Sequence, residues 1–335
     1  MKIDASLGAD LASVPADAAA REAEGYDGVI SFEAAHDPFL PLLLAAEHST
    51  RIELVTSIAV AFARNPMTVA GTAHDLNAFA GGRFSLGLGS QIKPHITKRF
   101  SMPWSNPAAR MKEFIQALHA IWDCWYLGKR LDFQGDYYSH TLMTPMFSPG
   151  DTGHGRPKVL LAAVGPKMTE TAAAVADGLL VHPFTTERYL REVTLPTVEA
   201  TLAAHGRRRE DFQMVYPIMV ATGDRAEDVA AMQAEFRNRI GFYGSTPAYR
   251  PVLDLHGWGD LQPELNLLSK AGRWDDMGAA ISDDILDHFV VAGEPGAIAG
   301  AVAARFGGLI DRAAVDFPRL DRARVPAILG ALGAI

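Results

Sequence analysis

The chain has 335 residues, 48% of them hydrophobic and 21% charged, with one cysteine and a formal net charge of −8. This composition is typical of a globular protein with a sizeable core, and the lone Cys124 excludes an internal disulfide and a cysteine-cluster metal site. The negative charge argues against a nucleic-acid surface, which needs Lys and Arg to neutralise phosphates, so we expect a small-molecule partner and no nucleic acid.

The first half of the chain alternates strand-like and helix-like segments, a pattern that predicts βαβ units and a parallel sheet. Strands one to four are predicted in KIDASL, DGVISF, IELVTSIAV and RFSLGLG. A loop over residues 90–105 lacks periodicity and is expected to be functional. It precedes a long helix that begins at Asn106-Pro107, in which apolar side chains recur every 3.6 residues.

The second half continues the alternation with two interruptions. Residues 129–157 form an irregular segment before KVLLAAV, the predicted strand five. GLLVH and DFQMVYPIMV are the predicted strands six and seven, residues 241–284 form a second irregular segment, and LDHFVV is the predicted strand eight. Eight strands with intervening helices predict a (β/α)8 TIM barrel with insertions after strands 4 and 7.

No segment rich in Pro, Gly or Ser divides the chain, so we expect a single domain over residues 1–335. The amino terminus, MKIDASLGAD, carries acidic residues and lacks the apolar core of a signal peptide. No stretch approaches the roughly 18 uncharged apolar residues that a membrane span needs. These features predict a cytoplasmic protein without membrane contact.

Four blocks of the sequence resemble, in order, blocks of the bacterial-luciferase-like family of flavin and deazaflavin oxidoreductases. They are AAREAEGYDGVIS, RIELVTSIAVAFARNPMTVA, GGRFSLGLGSQ and LLAAVGPKMTETAAAVADGLLVH. The further blocks HDPFLPLLLAAEHSTRIEL, KPHITKRFSMPW and YYSHTLMTP resemble a subgroup assigned to the deazaflavin coenzyme F420. The resemblance implies the same barrel, a cofactor at the carboxyl ends of its strands, and a homodimer, since family members are commonly dimers.

Three ionisable residues follow strand two, in the segment SFEAAHDPF. The resemblance implies that an acidic or basic side chain from this position points at the cofactor ring. Glu33 and His36 are therefore candidate catalytic residues, because a carboxylate beside an imidazole can tune a proton donor near neutral pH. Asp37 more simply caps the helix that starts at Pro38.

Strands three and four contribute candidate cofactor contacts. The resemblance implies a non-prolyl cis peptide behind the ring, and the matching bond is Ser57-Ile58; two ordinary strand residues are the alternative. After strand four, glycine lets the backbone approach a flat ring closely, while Ser and Gln offer hydrogen bonds. The candidates there are Gly89, Ser90 and Gln91.

The loop after strand four departs from one branch of the family. Some deazaflavin sugar-phosphate dehydrogenases carry a catalytic Glu shortly after this turn, where this chain has Gln91, Ile92 and Lys93. Their acid and their substrate are therefore not implied here. His95, in the same loop, is the substitute candidate for a proton donor, and a plain surface histidine is the alternative. His182, at the end of strand six, either faces substrate or is structural.

The turn from strand five into its helix is the candidate phosphate site. Free N–H groups at a helix N-terminus favour an anion, Gly165 permits close approach, and Lys167 adds charge. No acidic residue precedes Glu170 in this turn. The alternative is a plain turn with proline at the first helical position. The cofactor candidates are Ala163, Val164, Gly165, Pro166, Lys167 and Met168.

The resulting hypothesis is an F420-dependent oxidoreductase that transfers a hydride between the deazaflavin and a small organic substrate. A reduced-FMN monooxygenase of the same fold is the alternative. The deazaflavin has a longer acidic tail that needs basic contacts, and Lys167, Lys93, Lys98 and Arg99 are compatible with this. A non-redox barrel lyase or isomerase is a rival of another class, because fold alone does not determine function, and a cofactor-storing protein is a further one.

Overall fold

Eight parallel strands form a closed ring in the computed structural model, which describes residues 1–335. In chain order they are β1 Lys2–Ser6, β2 Gly28–Ser31, β3 Glu53–Thr56, β4 Phe84–Gly89, β5 Lys158–Ala163, β6 Gly178–Val181, β7 Gln213–Pro217 and β8 Arg312–Ala314. Each strand pairs with the next, and β8 pairs with both β7 and β1. The predicted TIM barrel is therefore confirmed.

Helices connect the strands, and most of them carry a proline in the first turn, where its fixed φ suits the helix and its missing N–H is not needed. None of the helices is both long enough and apolar enough to cross a membrane. Their bounds are Val14–Glu24, Phe39–Glu47, Pro66–Phe79, Pro107–Leu127, Pro166–Val175, Glu187–Tyr189, Leu195–Ala204, Ala226–Gly244, Arg250–Leu255, Leu261–Lys270, Trp274–Ala279, Asp283–Phe289, Pro295–Phe306 and Val325–Gly333.

Both predicted insertions are present. The insertion after β4 includes a short antiparallel hairpin, in which Phe133–Gln134 pairs with Ser139–His140. The insertion after β7 is mainly helical and is framed by two short parallel strands, Met219–Ala221 and Val290–Ala292. A cluster of 16 buried apolar residues joins the insertion to Phe184 and Tyr189 of the segment after β6, so the insertion packs against one side of the ring.

The predicted eighth strand is wrong. Within LDHFVV, the residues up to Phe289 complete the helix Asp283–Phe289, which Ser282 caps by accepting a hydrogen bond from the N–H of Ile285. Only Val290–Ala292 is extended, and it pairs outside the ring. The eighth strand of the barrel is β8, which follows the helix Pro295–Phe306.

The inside of the barrel is filled by one apolar side chain from each of six strands, so it is a packed core and not a channel. The strand β4 contributes no side chain at this level, because a Cβ on Gly87 would lie 1.8 Å from the carbonyl oxygen of Thr56 and 2.7 Å from Leu180 Cδ1. We call this group the interior cluster; its members are Ile30, Val55, Leu160, Leu180, Val215 and Ala314.

A buried ionic cluster occupies the end of the barrel where the strands begin. Arg312 donates to both carboxylate oxygens of Asp4, and its other nitrogen donates to Glu53 at 2.5 Å. The Arg312 and Asp4 side chains are 1% and 0% exposed. Burial alone would lower the pKa of Arg312, but the two carboxylates outweigh it and hold that pKa above its ordinary value. A Cβ on Gly28 would lie 2.3 Å from this pair, so glycine is required there.

Candidate active site at the mouth of the barrel

The strands of the ring end around one opening, which is where barrel enzymes place their chemistry. We call this opening the mouth. Side chains alternate inward and outward along a strand, so a residue two positions after a member of the interior cluster also points inward. The segments that form it and that carry the predicted site residues are 32–37, 57–58, 89–95, 164–168 and 182–186.

The partner of Glu33 is an arginine from the segment after β3. One of its carboxylate oxygens accepts hydrogen bonds from the N–H of Val60 at 2.7 Å and from the Arg64 guanidinium. The ion pair of Glu33 is therefore with Arg64, and no ion pair joins it to His36. The arginine neutralises the carboxylate and ties the segment after β2 to the segment after β3.

Asp37 caps the following helix, as predicted. One of its carboxylate oxygens accepts a hydrogen bond from the N–H of Phe39 at 2.8 Å, and the other accepts from Arg64 at 3.0 Å. Both oxygens therefore have structural partners, which supports the structural role predicted for Asp37.

The two candidate histidines after β2 and β4, His36 and His95, are both exposed. His95 begins a short π-helical turn, His95–Arg99. The guanidinium of Arg99 donates to the carbonyl of Ala34, so the two segments touch. The structure thus brings both histidines to neighbouring segments of the mouth, and the catalytic role of each stays a prediction.

The peptide bond between Ser57 and Ile58 is cis, as predicted. The Ile58 side chain packs onto the interior cluster, at the floor of the mouth. A Cβ on Gly89 would lie 2.7 Å from Ile58 Cδ1, so a side chain there would displace the isoleucine from its present position. Ile58 and Gly89 therefore form one continuous piece of the floor, against which a flat ring can lie.

Ser90 and Gln91 stabilise their own turn. Gln91 has a φ of 58°, in the left-handed region that few residues other than glycine adopt. Its side-chain oxygen accepts a hydrogen bond from the N–H of Ile92 at 3.0 Å, and the Ser90 hydroxyl donates to the Gln91 carbonyl at 3.1 Å. The side-chain amide nitrogen of Gln91 takes no part in these contacts and can donate to a ligand.

The turn after β5 presents an uncapped helix N-terminus to the mouth. The helix Pro166–Val175 has no side-chain cap and no acidic residue in its first turn. Pro166 has no N–H, and the N–H of Thr169 bonds to the Gly165 carbonyl at 3.1 Å. The free donors are therefore the N–H groups of Lys167 and Met168, and such donors favour an anion.

Gly165 differs from the other glycines of the chain. Its φ of −87° and ψ of 161° are extended values that any residue adopts. A Cβ at this position would meet no protein atom within 4 Å. Outside the helices, no other glycine combines a negative φ with such open space. Neither backbone strain nor packing requires glycine here, so the space beside Gly165 is free for a ligand.

His182 follows β6 directly and points into the mouth. The backbone N–H of His182 donates a hydrogen bond to the Ala163 carbonyl at 3.3 Å, so strand pairing continues to this residue. Because Leu180 belongs to the interior cluster, alternation directs His182 inward as well. Its Nδ1 accepts a hydrogen bond from the N–H of Phe184 at 3.0 Å, which leaves the proton on Nε2. Burial lowers the pKa of His182 to about 4, so the imidazole is neutral.

Two tyrosines from the insertion after β7 pack against His182. The ring centroids are 4.5 Å apart for Tyr249 and 4.9 Å apart for Tyr243. All three side chains are half-buried. The insertion therefore covers the side of the mouth above β6 with aromatic rings.

Histidines are expected to make the protein less stable in mild acid. Burial lowers the pKa of His119 and of His182 to about 4, from 6.5; at His119 the positive charge of Arg156 adds to this, and its buried Nε2 has no partner. Below pH 6.5 the unfolded chain binds more protons than the folded protein, so stability is complete above pH 6.5 and falls as pH drops toward 4.

The free energy of unfolding should fall by at most roughly 1.4 kcal/mol per pH unit for each histidine. Unfolding by denaturant at several pH values between 7 and 5 measures this slope. Because the pKa values of His140 and His256 are also lowered by burial, His119→Gln should reduce the slope but not abolish it. An unchanged slope in His119→Gln would contradict the prediction.

A second cleft, of about 540 Å³, is lined by polar and charged residues that include Thr186, at the end of the mouth segment 182–186. Two of its arginines pair with neighbouring glutamates, Arg188 with Glu192 at 2.9 Å and Arg191 with Glu187 at 2.8 Å, and the third, Arg305, donates to backbone carbonyls. None of the predicted site residues lines this cleft, so it is not the candidate site. The structure also has no group of three or more His, Cys, Asp or Glu side chains placed to hold a metal ion.

The sequence matches the model of the luciferase-like monooxygenase family over residues 3–312, a range that contains every predicted site residue. The chain belongs to the luciferase-like monooxygenase family. Members of this family are oxidoreductases and monooxygenases, in agreement with the resemblance that the sequence blocks showed.

Luciferase-like relatives of this chain differ widely in similarity. An uncharacterized protein of Mycobacterium tuberculosis is 53% identical over 312 residues, which cover 93% of this chain and 92% of that protein. The 5,10-methylenetetrahydromethanopterin reductase of Archaeoglobus fulgidus is 26% identical over 260 residues, 76% of this chain and 73% of the reductase. The structure of the coenzyme F420 dependent tetrahydromethanopterin reductase from Methanopyrus kandleri shares the fold, with a TM-score of 0.79, 17% identity and coverage of 98% and 97%.

Three residues of the site in this luciferase-like chain were not predicted from the sequence. Arg64, the partner of Glu33, stands in the AFARNP block, where a basic residue next to an N-cap Asn was a usable signal. Tyr243 and Tyr249 lie in the irregular segment 241–284, and no local pattern indicated that they approach β6. Contacts of this kind depend on how the insertion packs.

Proposed function

We propose that this luciferase-like protein is an F420-dependent oxidoreductase that transfers a hydride between the deazaflavin and a small organic substrate. The observation that carries the proposal is the turn after β5, an uncapped and acid-free helix N-terminus with open space beside Gly165. A phosphate-bearing cofactor suits this turn. The sequence blocks of the F420 subgroup and the F420 dependence of the Methanopyrus kandleri reductase support the deazaflavin over FMN.

The residues present fit such a cofactor. The N–H groups of Lys167 and Met168 would hold its phosphate, and the floor made by Ile58 and Gly89 would support its ring. The exposed side chains of Lys93 and Lys98, in the loop after β4, would contact its acidic tail. When bound, the deazaflavin supplies two-electron hydride chemistry, while the protein supplies orientation and electrostatics.

A side chain of the protein must donate or accept the proton that accompanies the transferred hydride. We propose that His36 or His95 handles it, because both are exposed on touching segments of the mouth. Glu33 is less suited, since its carboxylate already accepts hydrogen bonds from Val60 and Arg64.

An anaerobic titration of the purified protein with reduced F420 and, separately, with reduced FMN tests the proposal. Cofactor and protein fluorescence report binding without a substrate. We expect the deazaflavin to bind more tightly than FMN. Tighter binding of FMN would favour the reduced-FMN monooxygenase, and binding of neither would overturn both and leave the non-redox alternatives.

Three further features belong to the proposal and rest on composition and on the family resemblance. They are a single domain over residues 1–335, a homodimer, and a cytoplasmic location. The net charge of −8 also supports a small-molecule substrate over nucleic acid as the partner.

A further inference from the structure

We infer that His182, Tyr243 and Tyr249 form the substrate pocket, and that it takes an uncharged carbonyl compound whose oxygen accepts a hydrogen bond from His182 Nε2. The inference rests on the proposed function and deepens it by naming a substrate class. It starts from an inward-pointing histidine that the cofactor contacts leave unused.

The hydrogen-bonding state of His182 is determined by its neighbour along the chain. The N–H of Phe184 donates to Nδ1 at 3.0 Å, so Nδ1 is an acceptor and Nε2 carries the proton. The side chain therefore offers one donor and no charge. A carbonyl or hydroxyl oxygen is the complement of such a donor, whereas a cationic group is not.

The walls of the pocket are aromatic and uncharged. Burial lowers the pKa of His182 to about 4, and the hydrogen bond of its imidazole is to the uncharged backbone N–H of Phe184. Burial also raises the pKa of Tyr249 to about 12, with a contribution from Tyr243 beside it. The one charged group that affects the pKa of Tyr243 is Arg239, one turn earlier in the same helix. A charged ligand would lose its hydration beside these uncharged rings.

The tyrosine hydroxyls add further polar contacts for a substrate. Neither hydroxyl makes a hydrogen bond within the protein. Each can therefore serve a ligand oxygen without giving up a protein partner. The ring of Phe184 stacks on Tyr249, with centroids 6.0 Å apart, and so holds that tyrosine in position.

The pocket adjoins the turn proposed for the cofactor phosphate. The strands β5 and β6 are neighbours, and the N–H of His182 bonds to the carbonyl of Ala163, two residues before Gly165. Val164 packs against the same apolar cluster as both tyrosines. A substrate in this pocket and a cofactor on the turn would share one wall of the mouth.

The experiment is a titration of the protein, labelled with ¹⁵N-histidine, with cyclohexanone as the probe. Proton–nitrogen spectra report the His182 imidazole, which is assigned by the signal that disappears in His182→Phe. We expect a neutral ring protonated on Nε2, and we expect cyclohexanone to shift the Nε2 resonance. Cyclohexanecarboxylate, which has the same ring and a negative charge, should bind more weakly.

Affinity for cyclohexanone should fall roughly threefold to tenfold in His182→Phe, the effect of losing one neutral hydrogen bond while the aromatic packing is kept. The matched control is His205→Phe, which changes an exposed histidine at a helix end and should leave the affinity unchanged. An unshifted Nε2 resonance in the unmodified protein, equal affinity in His182→Phe, or tighter binding of the carboxylate would each overturn the inference.

The same titration is repeated with F420 bound, so that the two proposals are judged separately. If F420 does not bind but cyclohexanone still shifts the His182 resonance, the cofactor proposal fails and the pocket stands. If F420 binds and cyclohexanone leaves that resonance unchanged, the pocket fails and the cofactor proposal stands.

Discussion

Replacing Arg312 with methionine is expected to lower the free energy of unfolding by about 3–5 kcal/mol. The side chain is 1% exposed and binds Asp4 and Glu53, and the Asp4 side chain is 0% exposed. The substitution would leave the Asp4 carboxylate buried without its partner, which costs far more than the loss of a surface ion pair. Unfolding by denaturant at pH 7, followed by circular dichroism, measures the change.

Two further variants separate the charge effect from a general effect of losing an arginine. Arg322 forms an ion pair with Glu24 but is 55% exposed, so Arg322→Met should cost less than about 1 kcal/mol. The double variant Asp4→Leu with Arg312→Met should recover part of the loss, because it removes the unpaired buried charge. Equal stability of Arg312→Met and the parent protein would show that the buried cluster is not important for the fold.

The second large effect is expected at the turn after β5. Lys167→Ala should weaken binding of reduced F420 about tenfold, because it removes a charge-assisted contact of about 1.5 kcal/mol; the lower end of the usual range applies because the side chain is exposed. Gly165→Val should weaken binding more, because its methyl groups would occupy the space proposed for the phosphate. Dissociation constants from the fluorescence titration give both values.

The structure supplies sharp controls for this turn. Gly165 has an extended backbone and no protein atom within 4 Å of a Cβ, so Gly165→Val should leave the unfolding midpoint unchanged. Lys158→Ala changes an exposed lysine at the opposite end of β5 and should leave cofactor affinity unchanged. If Lys167→Ala and Gly165→Val both bind F420 as the parent protein does, the phosphate lies elsewhere and the turn only starts a helix.

Seven of the eight strands could be predicted because each is a short apolar run between helical segments, a property of nearby residues alone. The eighth could not. The strand β8 has only three residues and begins with Arg312, so it looks like a loop. LDHFVV has the composition of a strand, but Ser282 caps a helix there.

The candidate site was predictable where it depends on one turn or on the family blocks, as at Ser57-Ile58 and at Gly165. Partners across the mouth were not predictable. Glu33 binds Arg64 of the segment after β3, and the tyrosines that contact His182 come from the insertion after β7. Such contacts join segments that are distant in the chain.

The sequence by itself determined the alternation of strands and helices, the family, and the acid-free turn at Gly165, because periodicity and turn chemistry depend on residues close together in the chain. Only the tertiary structure decided which strand closes the ring, which cation neutralises Glu33, and which rings surround His182. The physical reason is that closing the barrel and packing an insertion onto it bring distant segments into contact. Many pairings satisfy the local preferences equally well, and only the packed arrangement selects among them.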